Sequence, residues 1–185
     1  MRRLSVFDNV SLDGFFTDAK NDMSWAHKHD EEWNAFASGN ASGQGELLFG
    51  RLTYEMMAAF WPTPQAAQIL PQVAAGMNAM RKHVFSRTLE RVSWQNASLL
   101  KGDLVSETKR LKEQPGPDLV ILGSGSIVSQ LTAAGLIDEY QMVLNPIVLG
   151  RGRTLFETVD RKTPLTLTRS RTFKNGNVVL WYEPA

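Results

Sequence analysis

Three short segments combine glycine, hydroxyl and arginine residues in a way that suits phosphate binding. They are Gly123-Ser124-Gly125-Ser126, Gly50-Arg51-Leu52-Thr53 and Ser86-Arg87. Glycine lets the backbone approach a pyrophosphate closely, and the free N–H groups at the start of a helix favour an anion. Arginine can hold a phosphate monoester through two parallel hydrogen bonds. Each segment alone is also typical of an ordinary turn or an exposed charge, so their relative position decides their meaning.

Each of these segments follows a short apolar run that is typical of a buried strand, at 119–122, 46–49 and 83–85. The first segment lacks the third glycine of the dinucleotide fingerprint, and no acidic residue follows at the expected distance. Ligands of open α/β sheets nevertheless bind beyond the carboxyl ends of the strands, where all three segments can gather. Together they predict a site for a phosphorylated dinucleotide. The 2′-phosphate of NADP is a monoester that Ser86 and Arg87 would suit.

Strand-like and helix-like segments alternate along most of the 185 residues. Further strands are predicted at 4–10 and 140–144, and helices near Asp30, after Gly50, over 65–80, after Asp103 and from Ile127. Residues 38–45 are predicted to form a loop, and the chain closes with strand-like runs at 165–173 and 178–181 around Asn175-Gly176, a strong turn signal. This pattern predicts an α/β fold in one domain, residues 1–185, with a mostly parallel central sheet, helices on both faces and a C-terminal antiparallel hairpin.

The composition excludes several classes of function. The net charge is +1, from 20 basic and 19 acidic residues without a basic block, so nothing favours nucleic acid or an anionic membrane as a partner. The absence of cysteine excludes disulfides, thiolate zinc sites and cysteine nucleophiles. The histidines, His27, His29 and His83, lack a nearby pair of carboxylates, so we predict no metal site. No apolar run approaches the length of a signal peptide core or membrane span, and we expect a cytoplasmic protein.

These motifs resemble those of the dihydrofolate reductase-like superfamily. The closer resemblance is to the C-terminal reductase domain of bacterial bifunctional riboflavin biosynthesis deaminase/reductase proteins and its stand-alone relatives. It covers nearly the whole chain, from Ser11-Leu12-Asp13-Gly14 through the three segments above to residues 146–156. The resemblance implies a three-layer fold and NADPH as the cofactor. It also implies hydride transfer to a pyrimidine, pteridine or related heterocycle, and a homodimer.

The resemblance also implies roles for individual residues. Those expected to contact NADPH are Val10, Gly14, Gly50, Arg51, Thr53, Ser86, Arg87, Gly123, Ser124, Gly125, Ser126 and Ile127. Asp30 is the first candidate for the catalytic acid, because dihydrofolate reductases carry a carboxylate a few residues after a tryptophan, as Asp30 follows Trp25 here. Asp13 is the second candidate, and Trp25 and Trp33 are candidate walls of the substrate pocket. Asp30 is equally typical of a helix N-cap, and Asp13 of a turn.

Two features depart from the families that the chain resembles. Ser24 stands where many dihydrofolate reductases have a proline before the tryptophan, which makes folate a doubtful substrate. No cysteine is available to hold the zinc ion of the deaminase half. A role in riboflavin synthesis would therefore need a separate deaminase. The leading hypothesis is an NADPH-dependent reductase that acts on a pyrimidine, pteridine or related heterocycle, of the 5-amino-6-(5-phosphoribosylamino)uracil reductase type. A true dihydrofolate reductase and a non-catalytic nucleotide-binding module with this fold are the alternatives.

Overall fold

The computed structural model describes residues 1–27, 30–41 and 44–185. Its strands are β1 (Leu4–Ser11), β2 (Thr17–Asp18), β3 (Glu46–Gly50), β4 (Lys82–Phe85), β5 (Ala97–Leu100), β6 (Leu119–Leu122), β7 (Glu139–Asn145), β8 (Gly152–Arg153), β9 (Leu165–Thr172) and β10 (Val178–Pro184). Its α-helices are α1 (Glu31–Asn40), α2 (Arg51–Phe60), α3 (Pro64–Ile69), α4 (Pro71–Ala79), α5 (Leu104–Glu113) and α6 (Gly125–Ala133).

Eight of the strands form one sheet in the order β5-β4-β3-β6-β1-β7-β10-β9. The first six in that order are parallel, whereas β10 pairs antiparallel with both β7 and β9. The predicted mostly parallel sheet with a C-terminal hairpin is therefore confirmed. The hairpin turns at Gly176, whose φ of 88° suits glycine. Strands β2 and β8 form a separate two-stranded ribbon.

Helices cover both faces of the sheet. On one face, α5 and α6 pack over a cluster that includes Leu4, Val6, Leu48, Ile121 and Leu131. On the other face, α2 and α4 pack over Leu47, Phe49 and Val84. Helix α1 covers the same face further along, through Trp33 and Phe36, against β7 and β10. No helix in the described parts of the chain is both long and apolar enough to cross a membrane.

One local prediction from the sequence is wrong, and one strand of the large sheet was not predicted. Helix α1 continues to Asn40, so residues 38–40 are helical rather than part of a loop; residues 42 and 43 of that predicted loop lie outside the described residues. Strand β5 was not predicted, because its sequence Ala-Ser-Leu-Leu is short and contains no β-branched residue. Pairing with β4 makes this segment a strand, and such a partner is not visible in the local sequence.

Candidate cofactor and substrate site

The three predicted phosphate-binding segments lie side by side at one edge of the sheet. Strands β4, β3 and β6 are adjacent and parallel, so their carboxyl ends meet at the same edge. The turns that follow these strands begin at Ser86, Gly50 and Gly123. Ligands of open α/β sheets bind at such an edge. The structure therefore brings together the segments that the sequence analysis singled out.

Ser124 joins two of these segments. Its Oγ accepts a hydrogen bond from the Gly50 N–H and donates one to Thr53 Oγ1, both at 2.8 Å. Gly123 and Ser124 have φ angles of 60° and 68°, and the left-handed conformation of Ser124 is unfavourable for a residue with a side chain. A Cβ on Gly50 would lie only 3.3 Å from Ser124 Oγ, so glycine permits the close approach. Strained turns of this kind are often found at functional sites.

The start of α6 offers backbone donors beside this turn. The first N–H groups of a helix have no partner within the helix, and Ser124 makes no side-chain cap to them. Ser126 is exposed next to them. Ile127 differs from Ser126, because its side chain is buried in the core and its N–H donates to the Ser124 carbonyl oxygen. The structure thus gives Ile127 a packing role rather than a group free to bind a cofactor.

Both candidate arginines are exposed at this edge. Arg51 Nη1 lies 3.1 Å from Glu55 Oε2, one turn further along α2. A surface ion pair of this kind is worth roughly 0–1 kcal/mol, so a phosphate could replace Glu55 at little cost. The pKa of Asp103 is lowered chiefly by hydrogen bonds from Ser106 and further by the charge of Arg87, which places that guanidinium near the start of α5. Ser86 Oγ accepts from the Leu89 N–H at 3.0 Å and shapes the turn around Arg87.

The loop after β1 is fastened by Asp13. Its carboxylate accepts hydrogen bonds from Ser11 Oγ at 2.6 Å, from the Leu149 N–H at 3.1 Å and from the Gly150 N–H at 2.7 Å. The hydrogen bond from Ser11, followed by those from the backbone, lowers the pKa of Asp13. An ionised carboxylate is a poor proton donor, so the structure argues against the catalytic role predicted for Asp13. Gly14, with a φ of 87°, completes the turn, and Val10 packs against the core beside it.

Asp30 and the two tryptophans have different surroundings from one another. Asp30 is the N-cap of α1, and its Oδ1 accepts the Trp33 N–H at 2.9 Å. Trp33 is buried with Phe173 and Trp181, so its side chain belongs to the core rather than to a pocket wall. Trp25 is partly exposed, and its Nε1 donates to the Asp22 carbonyl oxygen at 3.1 Å. His27 is exposed, while His29 lies outside the described residues.

The model of the RibD C-terminal domain family matches residues 3–179. This chain belongs to the RibD C-terminal domain family. Among solved structures, it resembles a putative riboflavin biosynthesis protein from Shewanella sp. PV-4 with a TM-score of 0.75 and 23% identity, over 100% of this chain and 99% of the other.

Two further structures share the fold of the RibD C-terminal domain. The chain matches 57% of a deaminase/5-amino-6-(5-phosphoribosylamino)uracil reductase from Thermotoga maritima, with a TM-score of 0.69, 14% identity and 100% of this chain covered. It also matches a dihydrofolate reductase from Enterococcus faecalis complexed with NADP(H), with a TM-score of 0.65 and 13% identity, over 98% of this chain and 96% of the other. The predicted dihydrofolate reductase-like fold is confirmed.

A buried carboxyl group on the central strand β1 of this RibD C-terminal domain, that of Asp8, was not predicted from the sequence. Asp8 is 2% exposed, and burial raises its pKa to about 7. Its Oδ1 accepts the Asn9 N–H at 2.9 Å, while Oδ2 has no hydrogen-bond partner among the described residues. Alternation along β1 places Asp8 on the face of Leu4 and Val6, beneath α6. The sequence signal that could have identified Asp8 is its position in β1, where an acidic residue continues the alternation of the buried Leu4 and Val6.

A cavity of about 550 Å³ lies away from these turns, near the start of β4 and β5, and is lined in part by Arg81, His83 and Asn96. Behind its wall, the lining residue His83 and the buried Arg2 both contact Glu46, with His83 Nε2 and Arg2 Nη2 each 2.7 Å from Glu46 Oε2. Burial alone would raise the pKa of Glu46, but hydrogen bonds from His83 and Arg2 lower it. This buried network ties the chain start to β3 and β4, at the opposite end of the strands from the candidate site.

Proposed function

We propose that this protein is an NADPH-dependent reductase that transfers a hydride to a pyrimidine, pteridine or related heterocycle, as a 5-amino-6-(5-phosphoribosylamino)uracil reductase does. The observation that carries the proposal is the convergence of three phosphate-suited turns at one sheet edge, with Ser124 joining two of them. Membership of the RibD C-terminal domain family supports it. A fold alone does not define a function, so the site residues are the basis of the argument.

The described residues fit a phosphorylated dinucleotide. Gly50 and Gly123 have no side chains, which lets Ser124 and Thr53 pack closely where the turns approach each other. The first turns of α2 and α6 supply backbone N–H groups without partners inside their helices. In this proposal the pyrophosphate lies there, within reach of Arg51 and Thr53. Ser86 and Arg87 hold the 2′-phosphate at the next turn. The segment from Val10 to Gly14 borders the nicotinamide, whose C4 supplies the hydride when NADPH is bound.

The chain itself must position the substrate and deliver a proton. We propose Asp30 for the proton, because it is the N-cap of α1 and the first turn of α1 packs against Phe173, just after the end of β9. Asp30→Asn should separate catalysis from capping, because asparagine caps a helix as well as aspartate does. We expect Asp30→Asn to keep the melting temperature and lose at least about tenfold in kcat. Equal kcat in Asp30→Asn and the wild-type protein would remove Asp30 from the mechanism.

Turnover with a panel of heterocycles tests the proposed activity. NADPH absorbance should fall when a pyrimidine or pteridine substrate is added, and the panel should include dihydrofolate. Efficient turnover of dihydrofolate would favour the dihydrofolate reductase alternative. Tight NADPH binding without oxidation by any heterocycle would favour the non-catalytic module.

We also propose that residues 1–185 act as one domain, as a homodimer in the cytoplasm. Light scattering of the purified protein measures its mass directly. A monomer at working concentration would contradict the dimer without affecting the cofactor site.

A further inference from the structure

Three asparagines form a row at the carboxyl edge of β1 and β7, two on these strands and one just before β10. Asn9 pairs with Val143, and Ser11 pairs with Asn145 at the end of β7. Val178 of β10 pairs with Leu144, so the same register carried one residue further sets Asn177 opposite Asn145. The row therefore runs from Asn9 of β1 through Asn145 of β7 to Asn177, the residue before β10.

The asparagine row faces α1. Side chains alternate between the two faces along each strand, so each asparagine shares a face with the residue two positions away. These neighbours are Phe7, Val143 and Val179, all of which pack in the cluster with Trp33 of α1. Polar amides thus replace apolar residues where this face reaches the carboxyl edge. Asp30 lies near the same edge, because it caps α1 through the Trp33 N–H. The Trp33 ring packs against Phe173, whose N–H donates to the Asn177 carbonyl oxygen.

The buried members of the row have unsatisfied hydrogen-bonding groups. Asn145 and Asn177 are both 0% exposed. Oδ1 of Asn145 and both amide atoms of Asn177 have no hydrogen-bond partner within the described residues. A buried group of this kind is destabilising unless water or a ligand satisfies it. The row therefore differs from an apolar core, and Asn9, its partly exposed member, is the one that a ligand can contact directly.

Asn145 fixes the orientation of Asn9. Its Nδ2 donates to the Val143 carbonyl oxygen at 3.1 Å, to the Val10 carbonyl oxygen at 3.4 Å and to Asn9 Oδ1 at 3.1 Å. Backbone carbonyls only accept, so the Asn145 atom that meets them must be the amide nitrogen. Asn9 must then offer its oxygen to Asn145. Its Nδ2 consequently points away from Asn145.

Asn9 is the accessible member of the row. It is partly exposed, and none of the described residues accepts a hydrogen bond from its Nδ2. Phe7 is the last β1 residue in register with β6, which turns away at Gly123. Asn9 therefore borders the gap between β1 and the proposed cofactor turn, on the side of α1.

We propose that Asn9, oriented by Asn145, donates a hydrogen bond from Nδ2 to a carbonyl oxygen or ring nitrogen of the heterocyclic substrate. The site then selects heterocycles with an acceptor at that position, such as uracil-type rings, over rings with an amino group there. This inference rests on the proposed function for its substrate class. A site that donates a hydrogen bond to an acceptor on the ring discriminates strongly against an analogue with a donor at that position, because buried groups then remain unpaired.

Two pyrimidines provide matched probes. 5,6-Diaminouracil carries carbonyl acceptors where 2,4,5,6-tetraaminopyrimidine carries amino groups. We expect the full-length protein, titrated with each in the presence of NADPH, to bind the diaminouracil at least about tenfold more tightly. Asn9→Asp presents only acceptors, so it should reverse that preference, and Asn9→Ala should abolish it. Asn40→Asp, an equal charge change at the exposed far end of α1, should leave the preference unchanged.

Asn145→Ala tests the positioning role separately. It leaves Asn9 in place but removes its orientation, so the preference should fall toward equality. Thermal melting of each variant shows whether it is folded. If Asn9→Asp does not fold, the loss of the preference for diaminouracil in Asn9→Ala and Asn145→Ala tests the inference instead.

The inference is overturned if the wild-type protein binds both pyrimidines equally or binds neither. It is also overturned if the Asn9 variants keep the wild-type preference. NADPH stabilisation, measured on the same samples, separates this failure from that of the proposed function. If the preference between the two pyrimidines changes with the Asn9 variants but NADPH does not bind, the proposal of NADPH as the cofactor is refuted and the role of Asn9 still holds.

Discussion

Replacing Ser124 tests the geometry that holds the candidate cofactor site together. Ser124→Ala removes both 2.8 Å hydrogen bonds, the one accepted from the Gly50 N–H and the one donated to Thr53 Oγ1. Ser124 is 9% exposed, so water replaces the lost hydroxyl poorly. A hydrogen bond contributes about 0.5–1.5 kcal/mol net, and a donor left unsatisfied costs about 1–3 kcal/mol. We therefore expect the free energy of unfolding to fall by about 2–3 kcal/mol.

Ser124→Gly is the matched variant, because it removes the same hydrogen bonds but changes the backbone preference. Ser124 has φ 68° and ψ 63°, a left-handed conformation that glycine adopts readily. Relief of this strain should make Ser124→Gly more stable than Ser124→Ala by about 1 kcal/mol. The expected order of stability is wild type, then Ser124→Gly, then Ser124→Ala.

Urea denaturation followed by circular dichroism measures these differences, and titration with NADPH measures the effect on the site. Both variants should bind NADPH more weakly, by about tenfold for each 1.4 kcal/mol of lost positioning. Ser126→Ala, at the exposed next-but-one position, should change stability by less than about 0.5 kcal/mol. Wild-type stability in Ser124→Ala, or equal stability of the alanine and glycine variants, would refute the reasoning.

Other predictions concern stability. Burial raises the pKa of Asp8 to about 7. The free energy of unfolding of the wild-type protein should therefore fall as pH rises from about 4 to about 8, by at most about 4 kcal/mol. In urea titrations, Asp8→Asn should not show this fall, whereas the control variant Asp160→Asn should show it as the wild type does. The pKa of Asp13 is lowered, so the stability that its carboxylate contributes near neutral pH is lost as pH falls. Thermal melting at acidic and neutral pH should therefore show a smaller loss of stability in Asp13→Asn than in the wild-type protein. Gly125→Ala sets a Cβ 2.7 Å from the Phe16 ring and should lower the melting temperature, whereas Gly39→Ala, with nothing within 4 Å, should raise it.

Much of the fold was predictable from the sequence because local signals coincide with element ends. Gly50 and Gly135 stand at helix boundaries, and Asn175-Gly176 marks the final hairpin. The parallel sheet followed from the alternation of apolar runs and helical patterns. Strand β5 was missed because its strand conformation depends on pairing with β4, which is a tertiary contact.

The candidate site was predictable in its residue types but not in its internal contacts. Glycine and arginine at strand ends indicated where phosphate could bind, yet the hydrogen bond from Ser124 to Thr53 joins residues 71 positions apart. The roles of Asp13 and Trp33 depended on burial and on backbone partners in other loops. The same holds for Asn9, whose orientation is set by Asn145, 136 positions away. Contacts between residues so far apart in the chain cannot be predicted from the spacing of residue types.

Binding of a phosphorylated dinucleotide at the three converging turns is tested most directly by thermal stabilisation with NADPH and NADH side by side. At a hundredfold excess over the dissociation constant, NADPH should stabilise the wild-type protein by about 2.7 kcal/mol. Arg87→Ala should weaken NADPH binding by at least about tenfold and leave NADH binding unchanged, because it removes a charge-assisted hydrogen bond to the 2′-phosphate. Arg91→Ala, an exposed arginine of the same loop, should bind both as the wild type does. No stabilisation by NADPH, or equal stabilisation by NADPH and NADH, would contradict the assignment.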